Sequence, residues 1–118
     1  MRVLYLEDSN PDMRLVQQYM NSVNHQFAAA ETIDQARQYL QHQHPDVFLV
    51  DIVIDGEMAY DLIEQAAQQK LSKYIVAITA RALPTERKRC LALGCDRVIA
   101  KPFTIDDLER TLEQLAQG

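Results

Sequence analysis

Short apolar runs alternate with amphipathic stretches along the whole chain. Runs rich in β-branched and aromatic residues predict strands, and apolar residues spaced three or four positions apart predict helices between them. The predicted strands lie near residues 2–7, 26–30, 46–51, 74–79 and 97–100. The predicted helices lie near residues 11–23, 32–43, 57–70, 84–93 and 104–116. Strict alternation of strand and helix is typical of parallel βαβ units, so the pattern predicts an α/β fold with five parallel strands.

Capping and turn residues mark the ends of several predicted helices. Pro11 and Pro84 each stand at a predicted helix start, where the fixed φ of proline suits the first turn. Thr32 and Thr104 are each followed, three residues later, by a polar side chain that can complete a cap. Gly94 follows the stretch "CLAL" and is expected to adopt the left-handed conformation that ends a helix.

Three predicted strands, "VLYL", "VFLV" and "YIVAIT", are almost uninterrupted apolar runs. Such runs are typical of central parallel strands that are covered by helices on both faces. The expected architecture is therefore a doubly wound sheet. A length of 118 residues suits one domain, over residues 1–118.

Composition and charge argue against several function classes. The chain is 47% hydrophobic and 25% charged, and it contains no apolar run long enough to span a membrane. The formal net charge of −5 argues against direct binding of nucleic acid, which usually requires a clustered basic face. The N-terminus lacks the pattern of a signal peptide, so a cytoplasmic location is expected.

Polar residues follow the apolar strands at the ends where open parallel sheets bind ligands. These residues are Glu7 and Asp8 after the first strand, Asp51 after "VFLV", Thr79 after "YIVAI" and Lys101 after "RVIA". Right-handed crossovers bring such strand ends to one edge of a sheet, so the side chains should converge. Clustered carboxylates require a cation, and oxygen donors in a shallow, wet site favour Mg²⁺ over metals that prefer nitrogen or sulfur.

Five short motifs follow one another along the chain: "ED" after the first strand, the Asp of "VFLVD", "ITA", "LGCD" and "KPF". In this order and spacing they resemble the motifs of the receiver domains of two-component response regulators, such as the chemotaxis receiver. The resemblance covers essentially the whole chain. It implies a flavodoxin-like fold of five βα units with strand order 2-1-3-4-5.

The resemblance also implies a role for each residue of the polar set. It makes Asp51 the phosphoacceptor for a phosphoryl group supplied by the phosphohistidine of a histidine kinase or phosphotransfer protein. Asp8 and Asp51 would bind Mg²⁺ directly, together with the backbone carbonyl of Val53. Glu7 would act mainly through a bound water.

Two further residues would contact the phosphoryl group itself. The resemblance implies that Lys101 pairs with a phosphoryl oxygen and that Thr79 donates its hydroxyl, with the backbone amide of Ala80 beside it. The peptide bond between Lys101 and Pro102 is expected to be cis, as in other members of the family.

Three positions depart from the family's pattern. Asp55 stands where most members have proline, and Ala59 stands where most have glycine, so the chain is expected to turn at Asp55 and Gly56. Val98 stands where the family usually has an aromatic residue. The usual coupling, in which an aromatic ring swings inward behind the threonine, therefore cannot operate here.

The expected function is a signalling domain that switches conformation and acts on an output partner through its fourth helix, fifth strand and fifth helix. It is not expected to be an enzyme beyond catalysing its own phosphorylation and dephosphorylation, and homodimerisation is left open. The alternative is a pseudo-receiver that serves only as an unphosphorylated interaction module. An aspartyl-phosphate enzyme of the haloacid dehalogenase type is disfavoured because Val53 replaces its second aspartate.

Overall fold

The computed structural model describes residues 1–117 and contains the five predicted strands, the five predicted helices and two additional short strands. The strands are β1 (Arg2–Leu6), β2 (Gln26–Ala30), β3 (Val47–Asp51), β4 (Val53–Ile54), β5 (Glu57–Met58), β6 (Tyr74–Thr79) and β7 (Arg97–Ala100). The helices are α1 (Asn10–Ser22), α2 (Ile33–His42), α3 (Tyr60–Gln68), α4 (Pro84–Leu93) and α5 (Ile105–Gln117). No helix within residues 1–117 is long and apolar enough to cross a membrane.

The main sheet is parallel, with the order β2-β1-β3-β6-β7. When the five strands of this sheet are numbered along the chain, the order is 2-1-3-4-5. The predicted strand order is therefore confirmed. The chain turns back from β2 across β1 to β3, so the direction of strand addition reverses between β1 and β3. Ligands of open α/β sheets bind at the carboxyl ends of the strands beside such a reversal.

Helices cover both faces of the sheet, which explains why the central strands are apolar throughout. On one face, Leu4, Phe48 and Val50 pack in a cluster with buried residues of α2, α3 and α4. On the other, Tyr5 and Leu49 pack in a second cluster with buried residues of α1 and α5. Alternate residues of each central strand therefore enter different layers, and both layers exclude water.

The predicted helix caps form as expected. The Thr32 hydroxyl accepts a hydrogen bond from the Gln35 amide at 3.1 Å. Thr104 and Asp107 form a reciprocal pair: the Asp107 amide donates to Thr104 Oγ1 at 3.1 Å, and the Thr104 amide donates to Asp107 Oδ2 at 2.9 Å. Gly94 ends α4 with φ +118°, which is the left-handed conformation expected for it.

The predicted start of the third helix near residue 57 is wrong, because residues 53–58 form an antiparallel ribbon instead. In this β4–β5 ribbon Val53 pairs with Met58 and Ile54 pairs with Glu57. The turn lies at Asp55 (φ +50°) and Gly56 (φ +78°), as the departures from the family pattern predicted. Two successive left-handed residues are typical of the tight turns that join such strands. Helix α3 therefore begins at Tyr60, after the ribbon has closed, and it ends at Gln68, two residues before the predicted end.

Candidate functional site

The structure brings the predicted polar residues together at the carboxyl edge of the sheet. Glu7 directly follows β1, Asp51 is the last residue of β3, and Thr79 is the last residue of β6. Lys101 directly follows β7, and its backbone amide donates to the Thr79 carbonyl at 2.8 Å. The peptide bond between Lys101 and Pro102 is cis, as expected.

Lys101 lies at the centre of the site. Its ammonium contacts Glu7 Oε1 and Asp51 Oδ2, and it lies 3.2 Å from Asp12 Oδ2. The lysine side chain is only 20% exposed. Burial by itself lowers the pKa of Lys101, but the hydrogen bonds to Asp51 and Glu7 outweigh it and raise the pKa above its ordinary value. The lysine therefore carries a fixed positive charge between two strand ends.

Glu7 is 1% exposed, and each of its carboxylate oxygens has a partner. Oε1 accepts from the Tyr5 hydroxyl at 3.3 Å as well as from Lys101, and Oε2 accepts from the Asp8 amide at 3.0 Å. Burial raises the pKa of Glu7 to about 7, and the neighbouring Asp51 adds to this rise while Lys101 opposes it. Burial, together with the charge of Glu7, also raises the pKa of Tyr5. Glu7 is thus held in place by its neighbours rather than free to turn toward a ligand.

Backbone amides of the β4–β5 ribbon hold the other two carboxylates. The Val53 amide donates to Asp51 Oδ1 at 3.1 Å, and the Asp55 amide donates to Asp8 Oδ2 at 2.8 Å. Asp51 is 7% exposed, whereas Asp8 lies at the surface. The ribbon therefore joins the end of β3 to the end of β1 and fixes the direction of both side chains.

Thr79 and Ala80 lie beside this group at the end of β6. Thr79 is 5% exposed, and its hydroxyl oxygen accepts from the Arg81 amide at 3.0 Å. Because an oxygen that accepts this bond keeps its own proton available, the hydroxyl can still donate to an incoming anion. Ala80 is exposed and follows Thr79 directly.

The donor set fits Mg²⁺ better than other metals. Within residues 1–117 no three acidic, histidine or cysteine side chains are arranged to hold a metal ion. Mg²⁺, however, is commonly bound by only one or two carboxylates, with waters completing the octahedron. Amides of the β4–β5 ribbon orient both the exposed Asp8 and the buried Asp51, and Asp51 also pairs with Lys101. Two carboxylates oriented by one ribbon, one of them open to water, match the preference of Mg²⁺ for few carboxylates and several waters.

Sequence reasoning missed Asp12, which lies in the first turn of α1 and contacts Lys101. The available signal was weak: Pro11 fixes a helix start just after the first strand, which places Asp12 near the same sheet edge. Tyr5 also reaches the site from the core. Its ring is buried among apolar residues, and its hydroxyl donates to Glu7.

Val98 is half-buried in β7 and packs against the cluster shared by α2, α3 and α4. Its carbonyl accepts a hydrogen bond from Arg87 Nη1, in α4, at 3.3 Å. The backbone of β7 is therefore connected to α4 at the position where the family usually has an aromatic ring.

A family model described as the response regulator receiver domain matches residues 3–113. The sensor histidine kinase RcsC of Escherichia coli (strain K12) is 30% identical over 117 residues, which are 99% of this chain but only 12% of RcsC. The chemotaxis response regulator CheY4 of Vibrio cholerae has a TM-score of 0.88 at 20% identity, with 97% of each chain covered.

A third similar protein is the receiver domain of the sensor histidine kinase PA1611 from Pseudomonas aeruginosa PAO1, whose structure is described with a magnesium ion coordinated in the active site cleft. It has a TM-score of 0.85 at 23% identity, with 99% of this chain and 98% of that chain covered. Fold, strand order and family model agree over almost the whole chain. This chain therefore belongs to the receiver domains of two-component response regulators.

Proposed function

We propose that Asp51 accepts a phosphoryl group from the phosphohistidine of a histidine kinase or a phosphotransfer protein. A carboxylate oxygen of Asp51 attacks phosphorus, the P–N bond to the imidazole breaks, and the imidazole nitrogen leaves with the electron pair. The observation that carries this proposal is the contact between Asp51, at the end of β3, and the Lys101 ammonium. A phosphoryl group formed on Asp51 would lie beside the charge that best stabilises it.

Lys101, Thr79 and Ala80 would hold the phosphoryl oxygens. The Lys101 ammonium would move from a carboxylate oxygen of Asp51 to a phosphoryl oxygen, the Thr79 hydroxyl would donate to a second, and the Ala80 amide would lie beside it. The hydrogen bond of 2.8 Å between the Lys101 amide and the Thr79 carbonyl supports this assignment, because it joins the two strand ends.

Asp8, Asp51 and the Val53 carbonyl would hold Mg²⁺, and Glu7 would contribute through a water. When bound, Mg²⁺ neutralises negative charge on the carboxylates and on the phosphoryl oxygens. The exposure of Asp8 and the hydrogen bonds by which the ribbon orients both aspartates support this ligand set. The description of PA1611 with magnesium in its active site cleft supports the choice of metal.

The signal would leave through the face formed by α4, β7 and α5. Thr79 ends β6 and leads into α4, while Lys101 follows β7 and leads into α5. Both residues proposed to contact the phosphoryl group are thus connected directly to this face. We infer that it acts on an output domain or partner in the cytoplasm, and that the only chemistry catalysed by the chain is its own phosphorylation and dephosphorylation.

Beryllofluoride, which mimics a phosphoryl group on aspartate, tests the proposal. In the presence of Mg²⁺ it should shift the amide NMR signals of residues 51, 79 and 101, because the charges of the pocket converge there. Asp51→Ala, measured in the same titration, should show no such shifts. If wild type does not respond, or if Asp51→Ala responds equally, Asp51 is not the phosphoacceptor and the chain acts as a pseudo-receiver.

A further inference from the structure

Three carboxylates share one ammonium at the site, and they differ in their access to water. The side chain of Glu7 is fully buried, the side chain of Asp51 is 9% exposed, and the side chain of Asp12 is 37% exposed. An ammonium has three N–H donors, so Lys101 can satisfy one oxygen from each carboxylate. Asp12 therefore attracts the ammonium toward the solvent edge, while Glu7 and Asp51 attract it into the pocket.

The position of Asp12 follows from the start of α1. Pro11 lies in the first turn of the helix, and Asp12 follows it, so the carboxylate reaches over the carboxyl edge of the sheet to a distance of 3.2 Å from Lys101 Nζ. Neither Glu7 nor Asp51 can perform the same function, because both belong to the pocket itself. Asp12 is the outermost of the three partners of Lys101.

We propose that Asp12 is a positioning residue that competes with the pocket for the Lys101 ammonium and thereby sets how tightly a phosphoryl group is held. This inference rests on the proposed function of Lys101. When a phosphoryl anion occupies the pocket, it needs the charge that Asp12 shares, and the negative charge of Asp12 also repels it. Asp12 thus weakens the phosphorylated state. Conversely, Asp12 favours Mg²⁺, because it keeps part of the lysine charge away from Asp51 and adds a negative charge nearby.

An acidic residue in the first turn of a helix also has an ordinary role, which is to interact favourably with the helix dipole. Asp34 provides a matched control, since it lies in the first turn of α2 and pairs with Arg37 at 3.0 Å, outside the group that contacts Lys101. If Asp12 served only its helix, Asp12→Asn and Asp34→Asn would behave alike.

The test compares wild type with Asp12→Asn, Asp12→Glu and Asp34→Asn. Two dissociation constants are measured by NMR titration: that of Mg²⁺ alone and that of beryllofluoride at saturating Mg²⁺. A partly exposed ion pair changes an equilibrium constant by a factor of about two to five. Asp12→Asn should therefore bind beryllofluoride about two to five times more tightly and Mg²⁺ weaker by a similar factor. Asp12→Glu, which keeps the charge, should lie near wild type, and Asp34→Asn should match wild type.

The opposite direction of the two changes distinguishes positioning from damage to the fold, since a damaged fold would weaken both ligands. The side-chain ¹³Cε signal of Lys101 gives a second readout and should shift in Asp12→Asn but not in Asp34→Asn. Unchanged constants in Asp12→Asn, or equal changes in Asp34→Asn, would overturn the inference while leaving the proposed function intact. Failure of wild type itself to bind beryllofluoride would overturn both.

Discussion

At the scale of single residues, the negative charges of the site are compensated unequally. Lys101 contacts Glu7 and Asp51, whereas Asp8 is exposed and its carboxylate accepts from the Asp55 amide. The repulsion expected among the three carboxylates is therefore relieved for Asp51 by its own ion pair. Asp8 has no cationic partner among the contacts described above, so only a backbone amide offsets its charge.

Asp8→Asn should raise the free energy of unfolding in chelator by about 0.5 to 1 kcal/mol, because it removes a like charge while its amide oxygen can still accept from Asp55. Millimolar Mg²⁺ should stabilise wild type through its preference for the folded state and should stabilise Asp8→Asn much less. Thermal melts with and without Mg²⁺ measure both effects. If the variant is less stable in chelator and Mg²⁺ moves neither melt, Asp8 serves to hold the ribbon and not the metal.

The sequence predicted most of the site, and the part that it missed has a physical reason. The predicted residues lie at strand ends, namely Glu7, Asp51, Thr79 and Lys101. Parallel topology alone brings such strand ends together. Asp12 reaches the site from a helix. Its approach depends on how α1 packs over the sheet edge, which follows from tertiary contacts of Met13, Val16 and Met20 and not from spacing along the chain.

At the scale of elements, strands and helices followed the hydrophobic pattern closely, while the β4–β5 ribbon did not. Each of its strands has two residues, which is too short for any periodicity to be recognised. The ribbon is instead defined by its turn and by the hydrogen bond of 2.7 Å from the Ala59 amide to the Ile52 carbonyl, which closes it. Local turn chemistry therefore predicted the bend at Asp55 and Gly56, but not that the flanking residues would pair.

The end of α4, where it packs against α3, requires glycine at position 94 for two reasons. Its φ is +118°, and a Cβ placed there would lie 2.3 Å from the Cβ of Ala67 in α3. Gly94→Ala should therefore lower the free energy of unfolding by about 2 to 4 kcal/mol, through backbone strain and overpacking together.

Gly56→Ala is the matched control for this prediction. Its φ is +78°, but nothing lies within 4 Å of a Cβ built there, so only backbone strain of about 1 kcal/mol is expected. Chemical denaturation of both variants measures the difference. Equal losses would mean that the close contact with Ala67 relaxes at no cost and that packing between the two helices is loose.

At the scale of the whole molecule, the proposed route from the site to the α4–β7–α5 face has no aromatic ring at position 98 to use. Binding of beryllofluoride is expected to shift the loop after Thr79 and helix α4, while the half-buried Val98 keeps its rotamer. Two hydrogen bonds can carry the change. The Arg81 amide donates to the Thr79 hydroxyl oxygen, and the Arg87 side chain donates to the Val98 carbonyl. Structures with and without the analogue decide this point, and a large inward movement of Val98 would refute it.

The backbone contacts of the β4–β5 ribbon also determine which sequence changes beside the pocket are tolerated. Its two bonds to the site, from the Val53 and Asp55 amides, are made by the backbone, so they do not depend on which side chains those positions carry. The Val53 and Met58 side chains point to solvent and are about half exposed. The exposed side chains of Val53 and Met58 can therefore be exchanged while the two carboxylates keep their orientation. Receiver domains with different surfaces beside the pocket, and hence different binding partners there, can therefore share the same pocket geometry.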